Sequence, residues 1–389
     1  MYRIFLVFVR NSIREVCDFE RETCLALAAH NIVFAFLMRE GISFIDVAQG
    51  EKVIAKEKNN LYFIRPLLLP FQRYAGIVSV SLVVNVFLLT LFLLLYKTYR
   101  KAGGLFLWIF HPRDYDLWKF IRYFYYSIYD VVDYFPAREL KGSHELKEKQ
   151  KLLVMQSQRV ASVSDAVYAS LKRYRVDVFL APLGFRIETF QKRTHNSLQY
   201  IKSLLPDHKT PIVGYIGGIN HRLDYDLLYK LALRCEDTNF VFIGPLQFKQ
   251  DNNVVWVKRS TKDWVSVLSS LPNVYFSKRT IHWRHIPNIL DAFDICMIPY
   301  DTAQEFNRFC YPMKIFEYFY AGKPVISSPI DALKKFSTYI QTASSVDEWE
   351  RQIKRLLVSP WPKRFHVDQK KIARANSWEE KIRYITTGL

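Results

Sequence analysis

Short apolar runs alternate with amphipathic segments through the first half of the chain, a pattern typical of parallel strands joined by crossover helices. The apolar runs predict strands at Tyr2–Arg10, Ile32–Met38, Leu61–Arg65, Leu105–Phe110, Tyr123–Tyr129, Arg159–Val163 and Val176–Leu180. Helices are expected between them, for example over Cys17–His30 and Ser143–Gln156. Ser164 is a suitable N-cap for a further helix that runs to Tyr174.

The same alternation restarts after a polar stretch and predicts a second domain. It places strands at Ile212–Ile216, Phe240–Gly244, Val274–Phe276, Ile295–Pro299 and Pro324–Ser327, and helices at Tyr225–Arg234, Pro287–Ala292 and Pro312–Tyr320. The chain is therefore expected to be α/β, with two Rossmann-like, doubly wound parallel-sheet domains and a ligand cleft at the carboxyl ends of their strands. We place the first domain at residues 1–185, a linker at 186–206, the second domain at 207–365 and a C-terminal helix at 366–389.

An uncharged apolar run covers residues 74–96, with Arg73 before it and Lys97 and Arg100 after it. Its length would allow it to span a bilayer. A spanning helix would, however, put the strands before and after it on opposite sides of the membrane, although they belong to one sheet. We therefore expect a crossover helix that is buried, or that lies sideways in the membrane interface, and a spanning helix is the alternative.

The formal net charge of +18 implies an anionic partner, which could be a membrane surface, a nucleic acid or a phosphorylated ligand. No nucleic-acid-binding module is recognisable, so nucleic acid is not expected. The five cysteines form no CxxC pair and no zinc-type set with histidine, which fits a reducing cytoplasm. The apolar N-terminus lacks a small-residue cleavage site and is interpreted as the first strand rather than a signal peptide.

The segment Gln304–Pro329 contains the most informative candidate site. Pro312 suits the first turn of a helix and Gly322 its end, so Lys314 and Glu317 would share one helix face. Lys314 near the helix N-terminus would attract a diphosphate, and Glu317 could accept hydrogen bonds from a ribose diol. The alternative is an ordinary surface ion pair on an amphipathic helix.

Gly217 and Gly218 follow a predicted strand, where the lack of a Cβ lets backbone N–H groups approach phosphate oxygens. A simple turn is the alternative. In the first domain, Asp130 and Asp133 lie at the end of a predicted strand, where a carboxylate could act as a general base on an acceptor hydroxyl. Loop capping is the alternative for both. His111 follows another strand and is a candidate acceptor contact or a structural histidine.

Two Asp-x-Asp strings, at Asp114–Asp116 and Asp224–Asp226, could suggest a metal site. Both lie where helices are expected to begin, so helix capping explains them without a metal. His282 and His285 have no nearby acid in the sequence and are expected in a loop at a base-binding edge rather than in a metal site. Neither a metal nor a cofactor is therefore predicted.

Several of these segments resemble the donor domain of GT-B glycosyltransferases. QEFNRFCYPMKIFEYFYAGKPVISSP, from Gln304 to Pro329, is similar to their donor-site motif, and PIVGYIGGINHRLDYDLL, from Pro211 to Leu228, to their glycine loop. The similarity is greatest to bacterial polysaccharide transferases of the teichuronic-acid and xanthan-glucuronosyltransferase type. It is specific over roughly residues 211–330 and weaker in the first half. The resemblance implies a GT-B fold whose C-terminal helix returns to the first domain.

The resemblance also implies roles for individual residues. Glu317 would bind the donor ribose and Lys314 would face the phosphates, with Met313 and Glu305 also lining the donor site. The stretch YDVVDYFPA resembles the segment whose second aspartate, here Asp133, is the base in inverting members. The pattern of two glutamates in retaining members is absent, because Phe309 occupies the earlier position. The stereochemical outcome is therefore left open.

The predicted activity is that of a hexosyl- or uronosyltransferase. It would use a nucleotide-diphosphate sugar, with a UDP-sugar expected first, and a lipid-linked or glycan acceptor on the cytosolic face of an anionic membrane. The enzyme would be peripheral or monotopic. A GT-B-fold nucleotide-sugar epimerase and a non-catalytic membrane scaffold with a transferase-like fold are the alternatives. The apolar run and positive charge disfavour the first, and the intact Lys314–Glu317 pair disfavours the second.

Overall fold

The computed structural model describes residues 2–11, 19–70, 75–133, 143–191, 209–248, 260–277 and 281–389. These residues form two compact units. The first contains the described residues up to Pro182 together with Trp378–Leu389, and the second contains those from Leu183 to Ser377. The chain thus returns to the first unit for its last helix. Cys17, Arg73 and residues 192–206 of the predicted linker lie outside the described residues.

In the described part of the first unit, eight strands form one sheet in the order β3-β4-β2-β1-β5-β6-β7-β8. They are β1 (Ile4–Val9), β2 (Ile32–Leu37), β3 (Ile54–Lys58), β4 (Leu61–Ile64), β5 (Leu105–Ile109), β6 (Tyr126–Val131), β7 (Arg159–Ser162) and β8 (Val178–Leu180). All neighbours pair in parallel except β3 and β4. The central strands β1 and β2 are buried along their whole length, as expected of strands covered on both faces.

Helices connect these parallel strands. Those of the first unit are α1 (Phe19–Ala28), α2 (Phe44–Ala48), α3 (Ala75–Arg100), α4 (Tyr115–Ile121), α5 (Ser143–Gln156) and α6 (Asp165–Lys172). The Ser164 side chain accepts a hydrogen bond from the backbone N–H of Val167, which confirms the predicted cap of α6. The apolar run forms α3 and connects β4 to β5, so its prediction as a crossover helix is confirmed.

The second unit has a six-stranded sheet in its described residues, in the order β11-β10-β9-β12-β13-β14, and every pairing is parallel. Its strands are β9 (Ile212–Ile216), β10 (Asn239–Ile243), β11 (Val274–Phe276), β12 (Ile295–Ile298), β13 (Val325–Ser327) and β14 (Ile340–Thr342). Its helices are α7 (Ile187–Gln191), α8 (Tyr225–Arg234), α9 (Thr261–Ser269), α10 (Ile286–Asp291), α11 (Glu305–Arg308), α12 (Lys314–Tyr320), α13 (Val346–Val358) and α14 (Lys363–Arg374). Each half of the chain therefore builds its own sheet, as predicted, and only the edge pair β3–β4 of the first sheet departs from the predicted parallel arrangement.

Several predicted elements begin later than expected, and two of them precede or contain candidate site residues. The strand predicted from Tyr123 begins at Tyr126, because Arg122–Phe124 forms a single turn of 3₁₀ helix. The helix predicted from Pro312 begins at Lys314. Both differences fall at element ends, where hydrophobic periodicity carries little positional information.

The last helix, α15 (Trp378–Thr386), packs against α1 in the first unit. Its Lys381 is buried, and the Nζ atom lies 3.0 Å from both carboxylate oxygens of Asp130 at the end of β6. The same ammonium donates to the carbonyl oxygen of Ala181 over 3.2 Å. Burial raises the pKa of Asp130 and lowers that of Lys381, whereas their mutual attraction opposes both shifts. This buried ion pair fixes the returning helix to the first sheet.

Candidate functional site

A glycine turn follows β9 at the carboxyl end of the second sheet. Gly217 has a φ of 142°, a conformation that residues with a side chain rarely adopt. A Cβ at Gly217 would also lie 3.1 Å from the Nζ atom of Lys314, so the missing side chain leaves space beside that ammonium. Gly244, after β10, packs so closely that a Cβ there would lie 2.0 Å from the Gly217 carbonyl oxygen. The backbone of Gly217 is thereby held next to Lys314.

Lys314 is directed at two tyrosines rather than at a carboxylate. Its Nζ atom donates to the hydroxyl oxygen of Tyr300 over 2.5 Å and to that of Tyr215 over 3.3 Å. It also lies 4.6 Å and 4.8 Å from the ring centroids of Tyr215 and Tyr300, within cation–π distance. Within the described ranges, Lys314 forms no ion pair with Glu317 or another carboxylate. The arrangement disfavours the alternative of a surface ion pair.

Arg222 is a second cation at this site, and the sequence analysis did not single it out. Its guanidinium carbon lies 4.8 Å from the Tyr300 ring centroid, on which Lys314 also packs. An antiparallel bridge between Leu223 and Tyr300 brings the two segments together, and the Arg222 Nε–H donates to Oδ1 of the buried Asn307 over 3.1 Å. Two positive groups therefore converge on one ring at the ends of β9 and β12. Their segments follow two strands, β9 and β12, that become neighbours only in the folded sheet, so no local signal in the sequence identified Arg222 or Tyr300.

The charges of Lys314 and Arg222 change the pKa of the Tyr300 hydroxyl. Burial by itself would raise its pKa, but the charges of Lys314 and Arg222 outweigh burial and lower the pKa of Tyr300. The neighbouring Tyr215 behaves oppositely, because burial raises its pKa well above the usual range. Tyr215 donates its hydroxyl hydrogen to the carbonyl oxygen of Gly218 over 3.0 Å, which couples the glycine turn to the Lys314 cluster. The two cations beside the glycine turn are suited to binding a phosphate or diphosphate.

Three other predicted donor residues lie on the same segment as Lys314. Glu317 is half-buried one turn further along α12 and makes contacts of its own. Met313 is half-buried directly before that helix, and its carbonyl oxygen accepts from the N–H of Phe316 over 3.1 Å. Glu305 is exposed at the start of α11. Gly217, Lys314 and Tyr300 meet directly, whereas contact of Met313, Glu305 and Glu317 with a donor stays a prediction.

The candidates of the first unit lie in different environments. Asp133 is half-buried two residues beyond β6, at the carboxyl end of the sheet, where a general base was predicted. Asp130 is fully buried and bonded to Lys381, which gives it a structural role in place of the predicted acceptor contact. His111 caps a 3₁₀ turn, since its Nδ1 atom accepts from the backbone N–H of Arg113 over 3.0 Å. Of the three, Asp133 remains the candidate for chemistry.

The two Asp-x-Asp strings have structural roles. Asp224 accepts from the N–H of Leu227 over 3.0 Å and caps α8, as predicted. Asp114 differs from the prediction, because it is buried and bonded to Nε of Arg10 over 2.5 Å, and no capping bond is formed by its side chain. Asp116 pairs with Lys149 over 2.5 Å. Among the described residues, no group of three or more histidine, cysteine, aspartate or glutamate side chains could hold a metal ion.

Comparison with known proteins finds similarity to a protein of Bacillus subtilis. The Bacillus subtilis protein TuaH, provisionally named a teichuronic acid biosynthesis glycosyltransferase, is 24% identical over 275 residues, which cover 66% of this chain. The chain spans 65% of the length of that relative. No protein-family profile matches the chain.

Solved structures resemble nearly the whole chain. Sucrose-phosphate synthase from Thermosynechococcus elongatus superposes with a TM-score of 0.74 at 14% identity, over 99% of this chain and 97% of that one. The Anabaena protein HepE, solved in complex with UDP-glucose, superposes with a TM-score of 0.66 at 13% identity, over 99% of this chain and 100% of that one. The chain therefore has the GT-B fold, and the predicted fold class is confirmed.

Proposed function

We propose that this chain is a hexosyl- or uronosyltransferase that transfers a sugar from a UDP-sugar to a hydroxyl group of a membrane-associated glycolipid or polysaccharide intermediate. The observation on which this depends is the convergence of Lys314 and Arg222 on Tyr300, beside the glycine turn at Gly217. In a GT-B fold, such a positive site at strand carboxyl ends suits a nucleotide diphosphate. The UDP-glucose complex of HepE and the name of TuaH support the donor class and the polysaccharide product.

The proposed chemistry is a displacement at the anomeric carbon of the donor sugar. The bond from that carbon to the diphosphate oxygen breaks, and a new bond forms to the acceptor oxygen. Lys314 and Arg222 offset the negative charge that develops on the leaving diphosphate, as fixed cations do in other phosphate-releasing sites. This supply of protein charge is the reason to propose a reaction without a metal ion. Asp133 accepts the proton of the acceptor hydroxyl.

The two ends of the donor are assigned to different side chains. Glu317 accepts hydrogen bonds from the ribose hydroxyls, and Lys314 contacts the phosphates. The acceptor is proposed to be lipid-linked and to be reached from the cytosolic face of the membrane. The apolar helix α3 and the net charge of +18 support this location, because anionic lipids attract positively charged proteins.

Calorimetric titration with UDP, GDP, CMP and dTDP tests the proposal directly. UDP should bind most tightly, and Lys314→Met should weaken UDP binding roughly 10- to 100-fold, since a charge-assisted hydrogen bond contributes about 1.5–3 kcal/mol. Lys334→Met is the matched control, because Lys334 is an exposed lysine of the same unit. If no nucleotide binds, or if both variants weaken binding equally, the donor site is assigned wrongly.

A second measurement separates transfer from epimerisation. The protein is incubated with a UDP-sugar and no acceptor, and the sugar is then analysed for its epimer. A transferase should return the donor unchanged or slowly hydrolysed. Accumulation of the epimer would instead favour the epimerase alternative.

A further inference from the structure

The helix α3 has one face packed on the first sheet and an opposite face that is exposed and apolar. On the packed face, Val86, Leu89 and Leu93 are buried. The exposed face carries large apolar side chains at helical spacing: Val80, Val84, Phe87, Leu88, Leu91 and Leu95. Leu88 is 58% exposed and Leu95 is 74% exposed. We call these six residues the outer stripe of α3.

Specific polar contacts hold the packed face in place. The Asn85 side chain accepts from the backbone N–H of Leu67 over 2.9 Å and donates to the Leu67 carbonyl oxygen over 2.7 Å. Further along the helix, the Tyr125 hydroxyl donates to Oγ1 of the buried Thr90 over 3.1 Å. Both ends of α3 also continue into strands of one sheet, β4 and β5. The helix therefore cannot leave the sheet to cross a bilayer without breaking the fold.

The exposed face is too apolar for an ordinary surface helix. The most apolar 18-residue window within Gly76–Arg100 has a mean hydropathy of 2.7, yet only 28% of that window is buried within the protein. A buried core helix would hide most of such a sequence. Contiguous apolar surface of this kind marks a binding face. With 26 residues, α3 is about 39 Å long, which is long enough to present the whole stripe to a flat surface.

Exposed aromatic residues lie on and just after α4, and basic residues lie at the C-terminal end of α3. The helix α4 packs against α3, and Phe120 at its end and Tyr123 in the following turn are 60% and 81% exposed. Lys97, Arg100 and the exposed Lys101 stand at the C-terminal end of α3. Exposed aromatic rings and basic side chains beside an apolar face are the combination found at membrane interfaces.

We infer that the outer stripe of α3 lies in the plane of an anionic bilayer, with its side chains among the acyl chains and its basic end at the headgroups. A lipid surface suits these features better than a second protein, because the stripe carries no polar group to specify a partner and the adjacent charge is positive. The inference goes beyond sugar transfer and does not depend on it. Vesicle binding without any nucleotide therefore tests it separately from the donor site.

The experiment is cosedimentation of the full chain with vesicles of phosphatidylcholine alone or mixed with phosphatidylglycerol. The wild type should bind the mixed vesicles more tightly than the phosphatidylcholine vesicles. Leu88→Glu/Leu95→Glu should reduce partitioning roughly tenfold or more, because two leucines that the bilayer would bury are lost. Val176→Glu/Val358→Glu is the control, because it adds the same charge at apolar positions that are 82% and 84% exposed elsewhere. Circular dichroism should show that both double variants remain folded.

Depth measurements separate an in-plane helix from a spanning one. A fluorophore is attached to a cysteine introduced at position 80, 88 or 95 in a Cys17→Ser background, in which the four remaining native cysteines are buried. Quenching by lipids labelled at different depths is then compared. The in-plane arrangement predicts one depth for all three positions, whereas a spanning helix places position 88 deepest. Three outcomes would overturn the inference. Position 88 is the deepest of the three, or the wild type and the stripe variant bind vesicles equally. In the third, the wild type binds no vesicles and forms a dimer that the stripe variant does not form.

Discussion

The ammonium of Lys314 donates to the hydroxyl oxygen of Tyr300 over 2.5 Å, and the guanidinium carbon of Arg222 lies 4.8 Å from the centroid of the Tyr300 ring. The Tyr300 side chain is thus in contact with two cations. The ring brings the two positive groups to one place in the site, and Lys314 forms no ion pair with a carboxylate in the described part of the chain. The charge of Lys314 is therefore presented toward the glycine turn rather than neutralised on its own helix.

Tyr300→Phe should change the response of the protein to alkaline pH. The pKa of Tyr300 is lower in the folded protein than in the unfolded chain. Ionisation of Tyr300 therefore stabilises the folded protein fully at pH values above the pKa of an unfolded tyrosine. This contribution is lost as the pH falls through the pKa of Tyr300 in the folded protein. Compared with the variant, the wild type should gain stability as pH rises toward the alkaline range. Chemical denaturation at several pH values measures this difference, and tyrosinate absorbance locates the titration. A difference that does not vary with pH would contradict the assigned environment of Tyr300.

Nucleotide affinity should show the opposite dependence on pH. Ionisation of Tyr300 places a negative charge between Lys314 and Arg222, which reduces the attraction for a diphosphate. Wild-type affinity for UDP should therefore decrease on alkalinisation, and Tyr300→Phe should retain more of its affinity. Calorimetry of both proteins over the same pH series is the test, and parallel curves would exclude Tyr300 as the titrating group.

Glu317→Gln should separate recognition of the ribose from recognition of the phosphates. The substitution removes a charged acceptor but keeps the size of the side chain, so UDP binding should weaken by about tenfold while pyrophosphate binding changes little. Lys314→Met should weaken the binding of both ligands. Competition of UDP and pyrophosphate against a fluorescent nucleotide measures the two effects. Equal losses for pyrophosphate in both variants would argue against a ribose contact by Glu317.

Asp133→Asn should slow catalysis without weakening donor binding. An amide cannot accept the acceptor proton, and removal of a general base typically lowers the rate by about 10²- to 10⁴-fold. The affinity for UDP should remain unchanged, because Asp133 belongs to the first unit and the Lys314 cluster to the second. Single-turnover transfer and calorimetry report the two properties. An unchanged rate would remove Asp133 from the proposed mechanism.

Lys381→Met should strongly destabilise the first unit. It leaves the carboxylate of Asp130 buried without its counter-charge, which costs about 3–5 kcal/mol for a pair of this kind. Burial already raises the pKa of Asp130, and losing Lys381 raises it further, so protonation should relieve part of the cost. The deficit relative to the wild type should therefore be smaller at acidic than at neutral pH. Denaturant unfolding tests this, with Lys172→Met as a control at the end of α6.

Most strands and helices could be predicted from the sequence, because the spacing of hydrophobic residues follows the positions that are buried in the folded protein. The strand at Ile212–Ile216 and the helices at Tyr225–Arg234 and Ser143–Gln156 have the predicted bounds. The strand Ile54–Lys58 was missed because it is an edge strand with mostly exposed, charged residues and no apolar pattern. The short strand Ile340–Thr342 was missed because it lacks a continuous apolar run.

The candidate site was only partly predictable. The segment around Lys314 could be identified because its motif is local in the sequence, and so could the glycines at Gly217 and Gly218. Arg222 and Tyr300 could not, because their contact depends on two loops that are far apart in the chain and meet only through the order of β9 and β12. Asp130 was misjudged for the same reason, since its partner Lys381 lies in the last helix.

The return of Trp378–Leu389 to the first unit has a consequence during synthesis. The segment Leu183–Ser377 must be translated before Lys381 exists, which takes on the order of tens of seconds at ordinary ribosomal rates. Throughout that interval the nascent first sheet holds Asp130 without its cation and exposes the surface that α15 later covers. Chaperone binding to the nascent chain should therefore persist while the second unit is made, and should end only once the last helix has left the ribosome.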